Sequence, residues 1–431
     1  MQRYNEYKAS GIQWLGEIPS HWEIKRWRFL MTENTKKNLG GKVQLQLQFR
    51  YGDIVRKSNQ SDESDVLDAI RKYTLVKTDD IMINGLNLNY DFVSQRVARV
   101  KEKGVITSAY VSLRPTAIAD SKYYTYFLKS MDAKKMFHGM GTGIRSTLSY
   151  NELKNQFIPC PNKKEQGAIA AYLDKVTSKI DTAITQQQKM IDLLNERKQI
   201  IINNAVTKGL NPNAKMKDSG VEWIGEIPEH WEMRKLKSIT SKIGSGVTPR
   251  GGGSVYVDNG VMFLRSQNVY FEGFKLDDVA YITEDVDASM PKTRVREGDI
   301  LFNITGGSIG RCHYVPQGFP KANVNQHVSI IRPNNFSSVY LYYLLRSPIC
   351  QIQVDLQQTG GNREGLTAFS LKNFILPIPP KNEQQNIIKY LSEVDLKLEY
   401  AKQNFQKQIS LLQERKQIII NDVVTGKVNV L

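Results

Sequence analysis

Arginine, glutamine and asparagine side chains occupy positions where they could bind the bases or phosphates of a nucleic acid. In the second half of the sequence, Arg265, Gln267 and Asn268 lie close together. Arginine can pair with guanine, and glutamine or asparagine with adenine, each through two hydrogen bonds. Arg250, in a glycine-rich stretch, and Arg311 are further candidates. These residue types predict contacts with bases or phosphates, although each would equally suit a solvated surface.

Further candidates lie in one pair of corresponding segments and elsewhere in the first half. Arg145 and Arg363 stand in corresponding Gly-x-Arg segments of the two halves, where a guanidinium could bind phosphate or guanine. Gln48, Arg50 and Asn87 are the other candidates in the first half. Phosphate contacts often outnumber base contacts, so a basic residue predicts DNA binding more strongly than it predicts sequence discrimination.

Residues with catalytic or metal-binding spacing are not evident in the sequence. Residues 137–143 superficially match an F-x-G-x-G cofactor loop of methyltransferases, but they follow a segment with a helical pattern, and an (N/D)PP(Y/F) motif is absent. Residues 306–310 lack the Gly-Lys-Ser/Thr ending of a phosphate-binding loop. The three cysteines and five histidines have no metal-ligand spacing. We therefore predict no catalytic residue, no metal and no cofactor in this chain.

The charge of the chain favours a polyanionic partner. The 431 residues carry a formal net charge of +16, spread through sequence that is 40% hydrophobic. Lysine and arginine that neutralise phosphates release condensed counterions, so nucleic acid is the predicted partner. The sequence begins without the apolar region of a signal peptide, and it lacks an apolar stretch long enough to span a membrane, so we expect a cytoplasmic protein.

An internal repeat divides the chain into two halves. Residues 10–28 and 219–237 are identical at ten of nineteen positions, and residues 193–207 and 411–425 at twelve of fifteen. The segments between these blocks are much less alike, although an Asp-Ile pair and an Arg-Pro pair recur in both. Repetition of this kind predicts two copies of one scaffold that carry different surfaces.

The pattern of apolar residues predicts a mixed α/β fold in which each half ends in a long helix. Short β-branched and aromatic runs, broken by glycine and proline, indicate a strand-rich α/β domain in each half. Apolar residues then recur every three or four positions after residues 161 and 380, which is typical of amphipathic helices. About 44 helical residues span roughly 65 Å. We expect the two helices to pack antiparallel as a coiled coil, with pseudo-two-fold symmetry and one domain at each end.

The predicted boundaries follow from these patterns. They are a first strand-rich domain at 1–160, a first long helix at 161–207, a second strand-rich domain at 208–378, a second long helix at 379–425 and a tail at 426–431. The tryptophans of the repeated block could stack on bases, but two domains that read different sequences should share scaffold and differ in their reading surfaces. We therefore predict packing or subunit docking for Trp14, Trp22, Trp223 and Trp231.

The order of these motifs resembles the specificity subunit of type I restriction-modification systems. The block SG(I/V)xW(L/I)GEIPxHWE, a domain ending in PxP-KxEQ and a long helix ending in ERKQIIIN occur twice, over nearly the whole chain. The second half also has GDILFNITGGSIGR at 298–311, whereas the first has no counterpart of TGGSIGR. The resemblance implies two target recognition domains that read a split, asymmetric site in double-stranded DNA.

The same resemblance implies partners and their cofactors. It predicts docking of two methyltransferase subunits and, through them, restriction subunits, with S-adenosylmethionine, ATP and Mg bound by those partners. The ERKQ repeats suit docking of two identical partners, although they equally suit a solvated helix face. The predicted partner-binding residues are Glu196, Arg197, Lys198, Gln199, Glu414, Arg415, Lys416 and Gln417.

Two other functions remain open from the sequence alone. One is a methyltransferase-like enzyme with its own cofactor site. The other is a coiled-coil scaffold for nucleic-acid or protein assemblies.

Overall fold

A computed structural model describes residues 2–58, 69–143, 146–357 and 365–431 of the chain. The described chain divides into two compact units, which differ in their sequence connectivity. Unit 1 comprises Met1–Gln188 together with Gln406–Leu431, and unit 2 comprises Lys189–Phe405. Unit 1 therefore contains both ends of the chain.

Strands and short helices precede one long helix in unit 1. Its strands are β1 (Tyr7–Ala9), β2 (Glu17–Pro19), β3 (Glu23–Arg26), β4 (Met31–Glu33), β5 (Leu47–Arg50), β6 (Asp53–Arg56), β7 (Thr74–Val76), β8 (Ile81–Ile83), β9 (Val97–Arg99), β10 (Gly104–Ile106), β11 (Val111–Pro115) and β12 (Phe157–Cys160). Its described helices are α1 (Trp27–Leu30), α2 (Ser121–Ala133), α3 (Tyr150–Leu153) and the first part of α4 (Lys163–Lys208), with a 3-10 turn at Met136–Gly139.

Unit 2 repeats this order after α4. Its strands are β13 (Met216–Asp218), β14 (Glu226–Pro228), β15 (Glu232–Lys235), β16 (Thr240–Ser245), β17 (Val261–Leu264), β18 (Val269–Tyr270), β19 (Gly273–Phe274), β20 (Ala280–Ile282), β21 (Ile300–Asn303), β22 (Cys312–Tyr314), β23 (Ala322–Val324), β24 (Val328–Pro333) and β25 (Ile375–Ile378). Its helices are α5 (Glu284–Ser289), α6 (Ser338–Arg346), α7 (Pro348–Gln357), α8 (Ala368–Lys372) and the first part of α9 (Lys381–Val424). Short 3-10 turns lie at Leu236–Ile239, Gly252–Val255, Ser266–Asn268, Pro291–Thr293 and Gly306–Ser308.

The same four-stranded antiparallel sheet occurs in both units. Its strand order is β4-β11-β8-β9 in unit 1 and β16-β24-β21-β22 in unit 2. The strand before each long helix also pairs in the same way, β12 with β3 and β25 with β15. The predicted common scaffold is therefore present in both halves, although their intervening sequences differ.

One buried ion pair stabilises this sheet in each unit. Arg114 donates from Nε and Nη2 to the two carboxylate oxygens of Asp80, at 2.9 and 2.8 Å. Arg332 donates in the same way to Asp299, at 2.7 and 2.8 Å. Both aspartates are fully buried, and this geometry joins the end of one strand to the start of its neighbour. The recurring Asp-Ile and Arg-Pro pairs of the sequence are thus the two sides of one structural contact.

The repeated block holds the first turn of each long helix. The indole Nε1 of Trp22 donates to Glu165 at 2.9 Å, and that of Trp231 donates to Glu383 at 3.0 Å. Both indoles are fully buried, which confirms a packing role for these two tryptophans. Trp14 is partly buried against Phe127 and Trp223 is 37% exposed.

The two long helices pack on each other within each unit. In unit 1, Ile180 near the beginning of α4 shares a core with Ile420 near the end of α9. In unit 2, Ile202 near the end of α4 shares a core with Ile387 near the beginning of α9. Each pairing joins the beginning of one helix to the end of the other, as antiparallel packing requires. Among the described residues, a helix apolar and long enough to cross a membrane does not occur.

Candidate nucleic-acid interface

The loops at one end of the common sheet occupy equivalent positions in the two units. In unit 1, Asn84 N donates to Arg96 O at 2.8 Å, and in unit 2, Asn303 N donates to Arg311 O at 2.8 Å. These bonds close two loops between matching strands, which we call loop 1 (residues 85–95) and loop 2 (residues 304–310). Loop 1 is thus the positional counterpart of TGGSIG, although the sequence showed no counterpart.

A second segment contacts each of these loops. In unit 1, Leu148 N donates to Gly85 O at 2.9 Å, and in unit 2, Leu366 N donates to Ile304 O at 2.8 Å. Arg145 and Arg363, both predicted DNA contacts, lie outside the described residues. Their roles stay predictions.

Loop 2 is a tight turn that leads directly into Arg311. Gly310 has a φ of +85°, a left-handed conformation that favours glycine. The guanidinium of Arg311 lies 4.6 Å from the ring centre of Tyr270. The ammonium of Lys275 lies 4.2 Å from that same ring. Arg311 and Lys275 thus lie beside one aromatic ring at the edge of loop 2, where cation–π interactions attract both.

A chain of polar side chains joins loop 2 to two other segments of unit 2. Thr305 bonds to Nδ1 of His327 at 2.7 Å, and Nε2 of His327 bonds to Gln326 at 2.9 Å. Thr248 then donates to Gln326. Gly246, two residues earlier, packs so closely on the backbone of Val324 that a side chain would not fit. The structure therefore brings together three segments that are far apart in the sequence.

The three polar candidates between β17 and β18 differ in their surroundings. Arg265 is partly exposed and donates to Asp278 O at 2.8 Å, while the exposed Gln267 donates to the Asp278 carboxylate at 3.0 Å. Asn268 is only 2% exposed; it accepts from Arg265 N at 2.9 Å and donates to Lys275 O at 2.9 Å. Its amide is used to shape the turn, and the base contact predicted for Asn268 stays a prediction.

The remaining candidates lie on the surface or at its edge. Arg250 is exposed, two residues beyond Thr248. In unit 1, Gln48 is partly exposed on β5, and Arg50 is exposed, with its guanidinium 5.4 Å from the ring of Tyr51. Asn87 is exposed in loop 1 with a φ of +53°. These four positions remain open to a partner.

Sequence reasoning missed several residues of this surface. Tyr270, Lys275, Gln326 and His327 showed no motif, because their positions depend on the register of strands that are distant in the sequence. Arg96 was also missed. It holds the same position as Arg311 but is completely buried, so it shapes loop 1 from below.

The predicted partner-binding residues are divided between exposed and paired side chains. Lys198 is 15% exposed and lies 3.1 Å from the Asp395 carboxylate of α9, and Lys416 is 26% exposed and lies 2.6 Å from the Asp181 carboxylate of α4. These equivalent lysines join the helices within each unit. Gln199 is partly exposed. The others are exposed: Glu196, Arg197, Glu414, Arg415 and Gln417.

Three features bear on catalysis. The F-x-G-x-G stretch begins within the 3-10 turn Met136–Gly139, which follows α2, whereas a cofactor loop of that type should follow a strand. Within the described ranges, His, Cys, Asp and Glu side chains do not form a group of three or more suited to a metal ion. The free cysteines Cys160, Cys312 and Cys350 are buried, and burial raises the pKa of each thiol.

Comparison with known proteins identifies the family of this duplicated chain. The family model described as the type I restriction modification DNA specificity domain matches residues 96–191 and 228–410. The chain therefore belongs to the family of type I restriction-modification specificity subunits, which confirms the sequence-based prediction.

Two relatives from Methanocaldococcus jannaschii match over the full chain. The chain is 27% identical to the type I restriction enzyme MjaVIII specificity subunit, over 100% of this chain and 98% of that protein. It is 25% identical to the putative type I restriction enzyme MjaX specificity subunit, over 100% of this chain and 99% of that protein. A solved chain from work on complex assembly and conformational transition of the type I R-M system has a TM-score of 0.69 at 15% identity, over 95% of this chain and 99% of that chain. At that identity, the structural match supports the fold alone.

Proposed function

We propose that this chain is the non-catalytic subunit that selects the DNA site for a type I restriction-modification complex. The two recognition domains, at 1–160 and 208–378, each bind one half of a split, asymmetric site in double-stranded DNA. One observation carries this proposal. Both units have the same sheet and the same buried ion pair, but loop 1 and loop 2, which occupy equivalent positions, differ in sequence. A common scaffold holds each reader in the same way, and different loops give different sequence preferences.

The proposed contacts are the accessible side chains around these loops. Arginine and glutamine supply the groups suited to guanine and adenine edges, and arginine also binds phosphate. In unit 2, Gln326 joins the sequence-based candidates because it is exposed beside loop 2. The proposed residues are Gln48, Arg50, Asn87, Arg145, Arg250, Arg265, Gln267, Arg311, Gln326 and Arg363.

The long helices have a second proposed role as docking surfaces. The exposed members of the ERKQ repeats occur once near the end of each long helix, which suits two copies of one methyltransferase subunit. Lys198 and Lys416 act instead within the helix pair, since both are paired with aspartate. Restriction subunits join through the methyltransferases, and these partners bind S-adenosylmethionine, ATP and Mg. The complex acts in the cytoplasm.

Mapping of methylated adenines tests the proposal directly. The chain is expressed with its methyltransferase partner, and methylated positions are compared with those in cells that express the partner alone. We expect a two-part motif that requires this chain. Methylation that is absent, or that is independent of the chain, contradicts the proposal.

Two further measurements separate the alternative functions. Titration calorimetry of S-adenosylmethionine into the purified chain should show no binding, whereas an enzyme with its own cofactor site should bind it. Footprinting of duplex DNA with the chain and its methyltransferase should show two protected stretches. A scaffold without sequence preference leaves no such split footprint.

A further inference from the structure

Loop 1 presents a cluster of apolar side chains to solvent. Tyr90 is 80% exposed, Phe92 is 54% exposed and Val93 is 91% exposed. Tyr51, at the turn between β5 and β6, is 87% exposed. The turn lies against the loop, because a Cβ on Gly52 would lie 2.2 Å from the Gln95 side chain. Apolar side chains gathered at one exposed site mark a binding surface more often than scattered ones do.

The backbone of loop 1 is held in place by buried hydrogen bonds. The buried guanidinium of Arg96 donates to the carbonyl oxygens of Asn84 at 3.0 Å, Leu86 at 2.8 Å and Asp91 at 2.6 Å. Leu88, completely buried, anchors the middle of the loop. A charged donor that satisfies three carbonyls gives stronger hydrogen bonds than a neutral one. The exposure of the tip is therefore a property of an ordered loop.

The tip itself has its own fixed turn. The carboxylate of Asp91 accepts from Ser94 N at 2.9 Å and Val93 N at 3.1 Å; hydrogen bonding to Ser94 above all, and to Val93, lowers its pKa to about 2. The ring of Phe92 stacks on His138 at 4.6 Å between ring centres. The turn therefore points Tyr90 and Val93 into solvent while Phe92 keeps one face covered. A preorganised tip avoids part of the ordering cost of binding.

The position of loop 1 identifies its partner. It corresponds to loop 2, beside which Arg311 and a chain of polar side chains lie, so we expect the same end of each unit to bind the same kind of ligand. The exposed Arg50, on the hairpin next to the tip, supplies a cation for phosphate. Duplex DNA offers one apolar group in its major groove, the C5-methyl of thymine. The tyrosine ring, phenylalanine and valine suit that group, and phenylalanine and valine cannot form hydrogen bonds with a base edge.

We propose that Tyr90, Phe92 and Val93 form an apolar reading tip that contacts thymine methyl groups in the half-site of the first domain. This inference rests on the proposed function, since it assumes that the first domain binds DNA. The two halves of the protein then discriminate bases by different means. The first adds apolar contact to its polar candidates Gln48, Arg50 and Asn87, whereas the second relies on arginine and amide hydrogen bonds.

The test uses the complex of the full chain with its methyltransferase and the motif obtained from methylation mapping. Tyr90→Ser/Val93→Ser is the test variant, because both side chains are exposed and their loss leaves the anchors of loop 1 intact. Phe92→Ser is compared with Phe29→Ser. Phe29 is a matched control, because it is the same residue type, is 56% exposed and lies on α1 between β3 and β4. Thermal unfolding checks that the variants remain folded.

The expected result has two parts. The test variant and Phe92→Ser each lose about tenfold or more in affinity for the cognate duplex, and methylation relaxes in one half of the motif. Arg311→Gln relaxes the other half, while Phe29→Ser changes neither. Replacing thymine by uracil in the first-domain half-site weakens binding of the unmodified chain severalfold, but it no longer affects Tyr90→Ser/Val93→Ser.

Three results overturn the inference and leave the proposed function standing. They are an unchanged motif and affinity for folded tip variants, an equal loss for Phe29→Ser, and no effect of uracil on the unmodified chain. Each leaves a two-part motif that depends on the chain. Failure of the proposed function is distinct, because the unmodified chain then yields no two-part motif.

Discussion

The equivalent carboxylates of Glu165 and Glu383 each accept a hydrogen bond from a tryptophan, but they differ in exposure. Glu165 has a side chain 1% exposed and accepts from Tyr4 at 2.8 Å as well as from Trp22. Glu383 has a side chain 32% exposed and binds Trp231 and His230. The energetic weight of a hydrogen bond depends on whether water can replace the lost partner. The sequence block is repeated, but its contribution to stability is not equal in the two units.

Glu165→Ala should therefore destabilise the protein more than Glu383→Ala. The first change leaves the buried donors of Trp22 and Tyr4 without partners, at a cost of about 1–3 kcal/mol, whereas water can reach the site of the second. Urea unfolding of both variants measures the difference. Equal losses of stability would show that the exposure of the carboxylate does not set its contribution.

His313 gives a pH-dependent signal from the core of unit 2. Burial disfavours its charged form and lowers the pKa of the imidazole, although its bond to Phe271 O at 3.2 Å favours that form. Because the folded pKa is lowered, its contribution to stability is present above the unfolded value of about 6.5 and is lost as the pH falls through the folded value. An NMR titration of the His313 ring should give a midpoint below 6.5. A midpoint at or above that value contradicts this account.

At the scale of elements, the buried ion pair stabilises the same kind of sheet in two segments whose sequences differ. Besides the arginine, Asp80 accepts Lys77 N at 3.0 Å and Asp299 accepts Arg296 N at 2.7 Å. Each aspartate thus fixes a turn before a strand and attaches it to the neighbouring strand. The two arrangements match atom by atom, while the loops at the far ends of the strands differ.

Removing the arginine of the buried ion pair should lower the free energy of unfolding far more than removing the arginine of a surface pair. Arg332→Met and Arg114→Met each leave a fully buried carboxylate without its partner, for which we expect a loss of about 3 kcal/mol or more. Arg56→Met breaks the Arg56–Glu102 pair, whose arginine side chain is 69% exposed, and should destabilise the protein much less, because water screens an exposed pair. Denaturant midpoints of the three variants test this ranking. A loss at Arg56 as large as the others would contradict it.

For the molecule as a whole, the sequence predicts scaffold better than surface. The repeated blocks, the recurring Asp-Ile and Arg-Pro pairs and the helical periodicity are local patterns, and they indicated the duplication, the mixed α/β units and the long helices. The match between loop 1 and loop 2 could not be predicted, because it is defined by backbone hydrogen bonds of Asn84 and Asn303 rather than by similar residues. Burial of Asn268 likewise depends on β19 and the segment after it.

The net charge of +16 leads to a prediction about how the whole chain binds DNA. If Arg250, exposed in a glycine-rich segment, binds a phosphate, its contribution is independent of base sequence. Arg250→Gln in the complex with methyltransferase should reduce the slope of log K against log salt by about 0.9 and leave the methylated motif unchanged. Arg311→Gln should instead relax one half of the motif if loop 2 contacts bases, because Arg311 directly follows loop 2. A changed motif in Arg250→Gln, with an unchanged salt slope, would reverse the assignment and make Arg250 a base contact.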